Sequence, residues 1–238
     1  MNKIIYIAVF VLIFSQLCYA EKYPVRWTES IKLKSLKDID AILDNHIDKY
    51  AGTSHELTLK NDVGEKHKVA TYNRYRELID QGYYPASNWN VRYSVRFKYF
   101  GDALMYLKKA KPAKTSYIDN FDLTEDPLRY LPPSIGITLS GDEARSVEEA
   151  IRKGQTWQEY DPTASVTIKD RNNIEIKYEG GGSTFITLQA WGDFNQDGIE
   201  DILLFLLQDT GGSLTYSEHA ILTRLEENEP LMQLFMKD

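Results

Sequence analysis

The stretch that most constrains this chain is Trp191-Gly192-Asp193-Phe194-Asn195-Gln196-Asp197-Gly198-Ile199-Glu200-Asp201, followed at once by an unbroken apolar run at 202–207. Oxygen-bearing side chains stand at every second position, Asp193, Asn195 and Asp197, then comes a glycine, then Asp201. Alternate side chains of a tight loop point inward, so this spacing turns oxygens toward a common centre. Gly198 permits the sharp reversal, the Ile199 carbonyl is available as a further ligand, and Asp201 closes the shell. Asp193, Asp197 and Asp201, three of the carboxylates within these nine residues, repel one another unless a cation neutralises them. The expectation is a calcium site held by Asp193, Asn195, Asp197, the Ile199 carbonyl and Asp201, structural rather than catalytic. The competing reading is an Asp/Asn/Gly turn between strands that needs no ion, because those residues favour turns on their own.

An EF-hand would place a bidentate glutamate at the twelfth loop position. Counted from Asp193 that position is Leu204, and the run that follows has no polar face, so strands rather than helices should flank the loop. Asp-x-Asn-x-Asp-Gly-x-x-Asp between strands resembles the calcium loops of integrin-α-type (FG-GAP) repeats and, more loosely, those of dockerins. The likeness covers about a dozen residues and occurs once, whereas a propeller requires a repeat at fixed period. The loop type therefore carries over and the propeller does not. The stretch 192–204 also resembles exported bacterial proteins that carry Gly-Asp-Phe-Asn-x-Asp-Gly-Ile-Glu-Asp before a hydrophobic run. Some of those look like immunity proteins against toxins delivered by a rival's secretion system, type VI among them.

Residues 1–20 read as a secretory signal: Lys3 gives the positive start, residues 4–14 the apolar core, and Cys18-Tyr19-Ala20 a small-x-small cleavage site. That core is too short to span a bilayer. Cys18 would suit a lipoprotein signal, but Ser15-Gln16-Leu17 lacks the small residue a lipobox needs just before the cysteine. Cleavage after Ala20 is the expectation, giving a periplasmic protein. Removing this segment takes away the only cysteine, so no disulfide framework holds the mature chain. It leaves 27 basic against 35 acidic side chains, a balance that disfavours nucleic acid and anionic membrane surfaces as partners and favours cations or a basic protein.

The remaining chain reads as α+β, with a helix-rich region over 21–130 and an antiparallel meander over 131–238. Residues 25–33 alternate loosely, as an edge strand would. Ser35 three before Asp38 starts a helix over 36–50, ended by Gly52. A hairpin over 55–60 and 66–70 and a helix over 71–81 follow. Residues 91–99 alternate strictly, with Val91, Tyr93, Val95, Phe97 and Tyr99 on one face and Arg92, Ser94, Arg96 and Lys98 on the other. That predicts a strand with a basic face, suited to a glycan or an acidic partner if it is more than an ordinary sheet strand. Gly101 and Asp102 open a short helix to Lys109. The proline-bearing 111–133 reads as a linker or long connection, and 135–139 as a strand. Ser140 to Glu143 is a capping box for a helix to Lys153. Strands are expected at 165–169, 174–178, 184–190, 202–207 and 218–225, with 202–207 central and buried on both faces.

Among signatures of chemistry, the sequence lacks a Gly-x-Ser-x-Gly elbow, a phosphate loop, a Rossmann glycine fingerprint and, after cleavage, any thiol. His46, His55, His67 and His219 are scattered, and His55, Glu56 and His67 do not form the His-Glu-x-x-His pattern of a zinc site. Glu218-His219 is the pair to inspect for hidden catalysis. The expectation is a non-enzymatic periplasmic binding protein, an immunity protein whose partner is a secreted effector toxin. The alternatives are a calcium-stabilised cell-envelope enzyme or glycan-binding accessory, and a calcium-dependent adhesion module.

Overall fold

The computed structural model describes residues 22–46, 57–118, 121–212 and 214–235. The signal segment, Gly52, and His55 and Glu56 lie outside these residues, whereas the helix expected over 36–50 ends within them, at Leu43. The fold is α+β, with helices gathered in the first half and an antiparallel sheet in the second.

The sheet runs β10-β9-β8-β7-β6-β5. Its strands are β5 (Ser165–Asp170), β6 (Asn173–Lys177), β7 (Ser183–Gly192), β8 (Asp201–Asp209), β9 (Thr215–Thr223) and β10 (Met232–Leu234). Each of these pairs antiparallel with its neighbour in the chain. The first half of β7 pairs with β6. Beyond that stretch its free edge is taken by β1 (Arg26–Trp27), with Arg26 opposite Trp191. The expected edge strand over 25–33 is thus only two residues long.

Why 202–207 is apolar at every position follows from β8 lying between two cores. Leu203 faces one that also holds Ala190, Ile221 and the helices of the first half. Ile202, Leu204 and Leu206 face the other, built with Ile174, Ile176, Ile186, Leu188 and the buried Trp157. A strand with a core on each side cannot alternate. A bulge between Leu188 and Ala190 sets Gln189 apart from this pattern, fully buried. Its side chain donates to the Tyr99 carbonyl at 3.1 Å and meets His219 Nε2 at 2.9 Å.

In the first half, a 3₁₀ turn capped by Ser35 leads into α1 (Ile39–Leu43). The hairpin of β2 (Leu57–Lys60) and β3 (Lys66–Val69) carries a third strand, β4 (Tyr84–Pro85), on β2. Between them α2 (Tyr72–Asp80), capped by Thr71, buries Tyr72, Tyr75 and Leu78 as its periodicity predicts.

Residues 91–99 are not a strand. They belong to α3 (Asn88–Phe97), which Ser87 caps by accepting from the Asn90 N–H. Positions four apart coincide on a helix face and on a strand face, so Tyr93 and Phe97 satisfy both patterns. Val91 distinguishes them, being 40% exposed where the strand reading buries it. The expected basic face dissolves too, with Arg96 lying over the Tyr93 ring at 5.4 Å. A π-helical turn over Lys98–Asp102 joins α3 to α4 (Ala103–Lys109). Gly101 is required there, since a Cβ would sit 1.8 Å from Cδ2 of Tyr72.

The 111–133 connection is packed, with Ala113, Ile118, Leu123, Leu128 and Leu131 buried. Residues 135–139 are likewise not a strand. A 3₁₀ turn spans Pro133–Ile135, and the Leu139 N–H donates to Glu143 Oε2 at 2.7 Å, extending the capping box of α5 (Gly141–Arg152). The Ile137 N–H likewise goes to a side chain, donating to the Tyr178 hydroxyl at 3.3 Å rather than to a neighbouring strand. The short helix α6 (Trp157–Tyr160), capped by Thr156, seats Trp157 in the second core.

Candidate functional site

Strands β7 and β8 close on the pair Gly192 and Asp201, and residues 193–200 form the loop between them. Gln196 and Gly198 take left-handed backbone, at φ of 64° and 91°. The loop's oxygens first serve the loop itself. Asp193 accepts from the Asp197 and Gly198 N–H groups at 3.1 and 2.8 Å. Asn195 Oδ1 accepts from Asp197 N–H at 3.1 Å, and Asp197 Oδ1 from Ile199 N–H at 2.7 Å. Asp201 Oδ2 accepts from Phe194 N–H at 2.9 Å. Each such bond uses one lone pair of an oxygen that has two.

One oxygen is left over. Asp201 is fully buried, and its Oδ1 meets no hydrogen-bond partner. Thr223, opposite Asp201 in the β8–β9 register, has a buried hydroxyl that makes no hydrogen bond of good geometry but stands near enough to the Asp201 carboxyl to lower its pKa. Burial pushes the Asp201 carboxyl up to about 7. The Thr223 hydroxyl and then the Phe194 N–H work against this, and the charges of Asp197 and Asp193 add to it.

The five ligands expected from the sequence are therefore in one loop, but their side chains do not stand as a finished cage. Among the described residues no three His, Cys, Asp or Glu side chains are gathered closely enough to hold a metal. The donor chemistry nonetheless fits a hard cation, all oxygen, with a bare carboxylate oxygen at the base of the loop. The Ile199 carbonyl is left out of the bonds that tie the outer edge of the loop. Those use the Gly198 carbonyl, accepting from Lys114 and Thr115, and the Glu200 N–H, donating to Thr115.

That outer edge is the part the sequence did not reveal. Residues 111–115 run alongside the loop, with Lys111 and Asp193 exchanging both backbone bonds at 2.8 and 3.0 Å. Glu200, which occupies an unassigned position between two expected ligands, is fully buried. Its carboxylate takes Arg26 Nη1 at 2.5 Å and the Ser116 hydroxyl at 2.8 Å, while the Arg26 guanidinium covers the Trp191 ring at 4.8 Å. Arg26 is 174 residues away along the chain, so no local pattern could have paired it with Glu200.

Glu218 and His219 do not neighbour the loop. They lie opposite Leu206 and Phe205, in mid-strand, whereas Asp201 faces Thr223. His219 bonds Gln189 and sits against the Tyr106 and Phe205 rings, and burial lowers its pKa to about 3. Glu218 is instead raised by burial, with Lys98 opposing. The imidazole is a satisfied, neutral part of the core rather than a base beside the ion loop.

No helix among the described residues is long and apolar enough to cross a membrane. Compared with models of protein families, with curated proteins and with solved structures, the chain matches none.

Proposed function

We propose that this is an exported, periplasmic, non-enzymatic binding protein whose 193–201 loop takes a structural calcium ion. Asp193, Asn195, Asp197, Asp201 and the Ile199 carbonyl would hold it. The observation that carries this reading is the fully buried Asp201 with its Oδ1 lacking a well-formed hydrogen bond, its pKa raised by burial and, to a smaller extent, by two further aspartates of the loop. A buried carboxylate oxygen without a donor is costly, and a divalent cation would relieve both that cost and the repulsion among the three charges. When bound, calcium supplies charge neutralisation and oxygen coordination, and no redox chemistry. The chain's own residues do the rest. The 111–115 segment and the Arg26–Glu200 pair fasten the loop to the body of the protein.

Titration calorimetry of calcium into chelator-stripped protein tests the ion. Saturable heat that Asp197→Ala removes is expected, and absence of heat with the wild type reduces the loop to a turn. For the partner, the acidic mature chain and the export signal support neutralisation of a secreted antibacterial effector. Cells lacking the protein should then succumb to toxin-secreting siblings in mixed culture, and undiminished survival would overturn that role without touching the ion.

A further inference from the structure

Strand β10 ends the sheet, so one of its edges pairs with no strand among the described residues. A cleft of about 490 Å³ is lined by residues 232–235, which are the whole of this strand and the residue after it. Successive side chains of a strand point to opposite faces, so a cavity that every strand residue touches runs along the strand's edge and not over one face. The edge toward β9 is filled, which leaves the open one. The far wall is the last turn of α5 and the chain beyond it, through Ile151, Gly154 and Gln155. The cleft is a groove between an open strand edge and a helix end.

Its walls are apolar and accessible. Ile151, Leu225, Met232 and Phe235 all line it, and they are 42, 46, 45 and 78% exposed. Large apolar side chains left in water around one concavity mark an interaction surface. The charge at the rim has one sign. Glu226 and Glu229 line the groove and are exposed, whereas among the described residues no lysine or arginine lines it. Arg152 and Lys153 follow Ile151 in the chain but are not part of the lining. An acidic segment would be repelled at this rim, and a basic one attracted. A helix has already used its own backbone groups and would cover the strand edge without meeting the N–H and C=O groups there. An extended chain meets them.

We propose that this groove is the partner-binding surface, and that it takes an extended segment of another protein as a further strand on β10. The segment has apolar side chains at alternate positions, covering Ile151, Leu225 and Met232, and a lysine or arginine beside Glu226 and Glu229. Backbone bonds to the strand edge fix its register, and the apolar side chains decide which sequences fit. The inference rests on the reading of the chain as a binding protein and names the surface it uses. It needs neither calcium nor the 193–201 loop.

The test is a display library of random heptapeptides panned on the purified protein, followed by synthesis of the strongest binder. Enriched sequences should alternate apolar residues and carry lysine or arginine, and the synthetic peptide should bind saturably by fluorescence anisotropy. Only every second amide of a paired strand faces its neighbour. N-methylation of one alternating set should therefore weaken the peptide at least about tenfold, and of the other set less than about threefold. At exposed wall positions, Ile151→Lys should weaken it about tenfold and Glu229→Gln about threefold, both with melting unchanged. Met236→Glu, beyond the lining, should leave the affinity as it is. The proposal is overturned by a library without enrichment, by enriched sequences that are acidic or do not alternate, or by equal effects of the two methylation sets. Wild-type affinity in Ile151→Lys or in Glu229→Gln overturns it as well. A tighter peptide in Met236→Glu would make the chain's own end the occupant, and self-association that Ile151→Lys removes would make it a second copy; either result also overturns it. Panning uses no toxin and no calcium, so failure here leaves the outcome in mixed culture standing, and the reverse.

Discussion

The helical half and the sheet half each take a carboxylate out of water, and they provide for it differently. Asp102, in the π-turn between α3 and α4, receives the Tyr72 hydroxyl and has Arg76 and Lys98 nearby, so burial raises its pKa against three opposing contacts. Asp201, at the mouth of the β7–β8 hairpin, has one backbone N–H on one oxygen, no well-formed hydrogen bond on the other beside the Thr223 hydroxyl, and two aspartates as neighbours. The first is completed by its own chain. The second has weaker support from its own chain, which is why the proposed ion is assigned to the loop and not to the π-turn.

Glu200 sharpens the contrast, because it is as buried as Asp201 and one residue away, yet fully paired. Removing its partner should have the largest effect. Arg26→Ala leaves a dry, uncompensated carboxylate held only by Ser116 and should cost about 3–5 kcal/mol, read as the denaturation midpoint at unchanged m-value. Arg26→Met with Glu200→Leu removes both charges and should recover most of that loss. A small effect of Arg26→Ala would mean that the pair does not fasten the loop.

Next in size is the ion itself. Calcium at about a hundred times its dissociation constant should stabilise by about 2.7 kcal/mol, a rise of about 5–10 °C in melting temperature that chelator reverses. Asp201→Asn should abolish that rise. The same variant tests the bare oxygen without any metal. The folded pKa of Asp201, about 7, lies above the ~3.9 of an unfolded aspartate, so the folded state holds the proton more tightly. In metal-free protein Asp201 should therefore contribute a loss of stability as pH rises from about 4 to about 7. Buried His219, lowered to about 3, contributes a gain over about 3 to about 6.5, so the wild-type slope is the sum of the two. The Asp201 part is the difference between wild type and Asp201→Asn. The variant should gain stability relative to wild type across that range, with Asp102 and Glu218, also raised by burial, unchanged in both. Parallel pH profiles for the two proteins would show that Asp201 is not held protonated.

On the helical side the corresponding change is Tyr72→Phe, which removes the hydroxyl from Asp102 and little else. It should cost about 1–3 kcal/mol and leave the calcium response untouched. If instead Tyr72→Phe weakened the calcium response, the two carboxylates would belong to one coupled system and the contrast between the halves would fail.

The halves also differ in how far the sequence exposes them. The loop spacing, the tight turns and the unbroken run at 202–207 are local consequences of what surrounds them, so the meander and the loop that joins β7 to β8 are legible. The Arg26–Glu200 pair depends on residues far apart in the chain and leaves no local trace. In the helical half the error at 91–99 has a different cause, an ambiguity of period. The deciding signal was present and lies just before the misread stretch. Ser87 accepts from the Asn90 N–H and from the Asn90 side chain, which in turn accepts from the Thr58 N–H of β2 at 2.8 Å. A capping serine three residues before its partner belongs to a helix start, and a strand has no use for it. Ser87→Ala should accordingly cost about 1 kcal/mol, the smallest effect considered, and lower protection from hydrogen exchange in the first turn of α3 while leaving β7 and β8 unchanged. A neutral Ser87→Ala would mean that packing of Tyr93 and Phe97 alone selects helix over strand, so that the choice was never written in the residues that precede it.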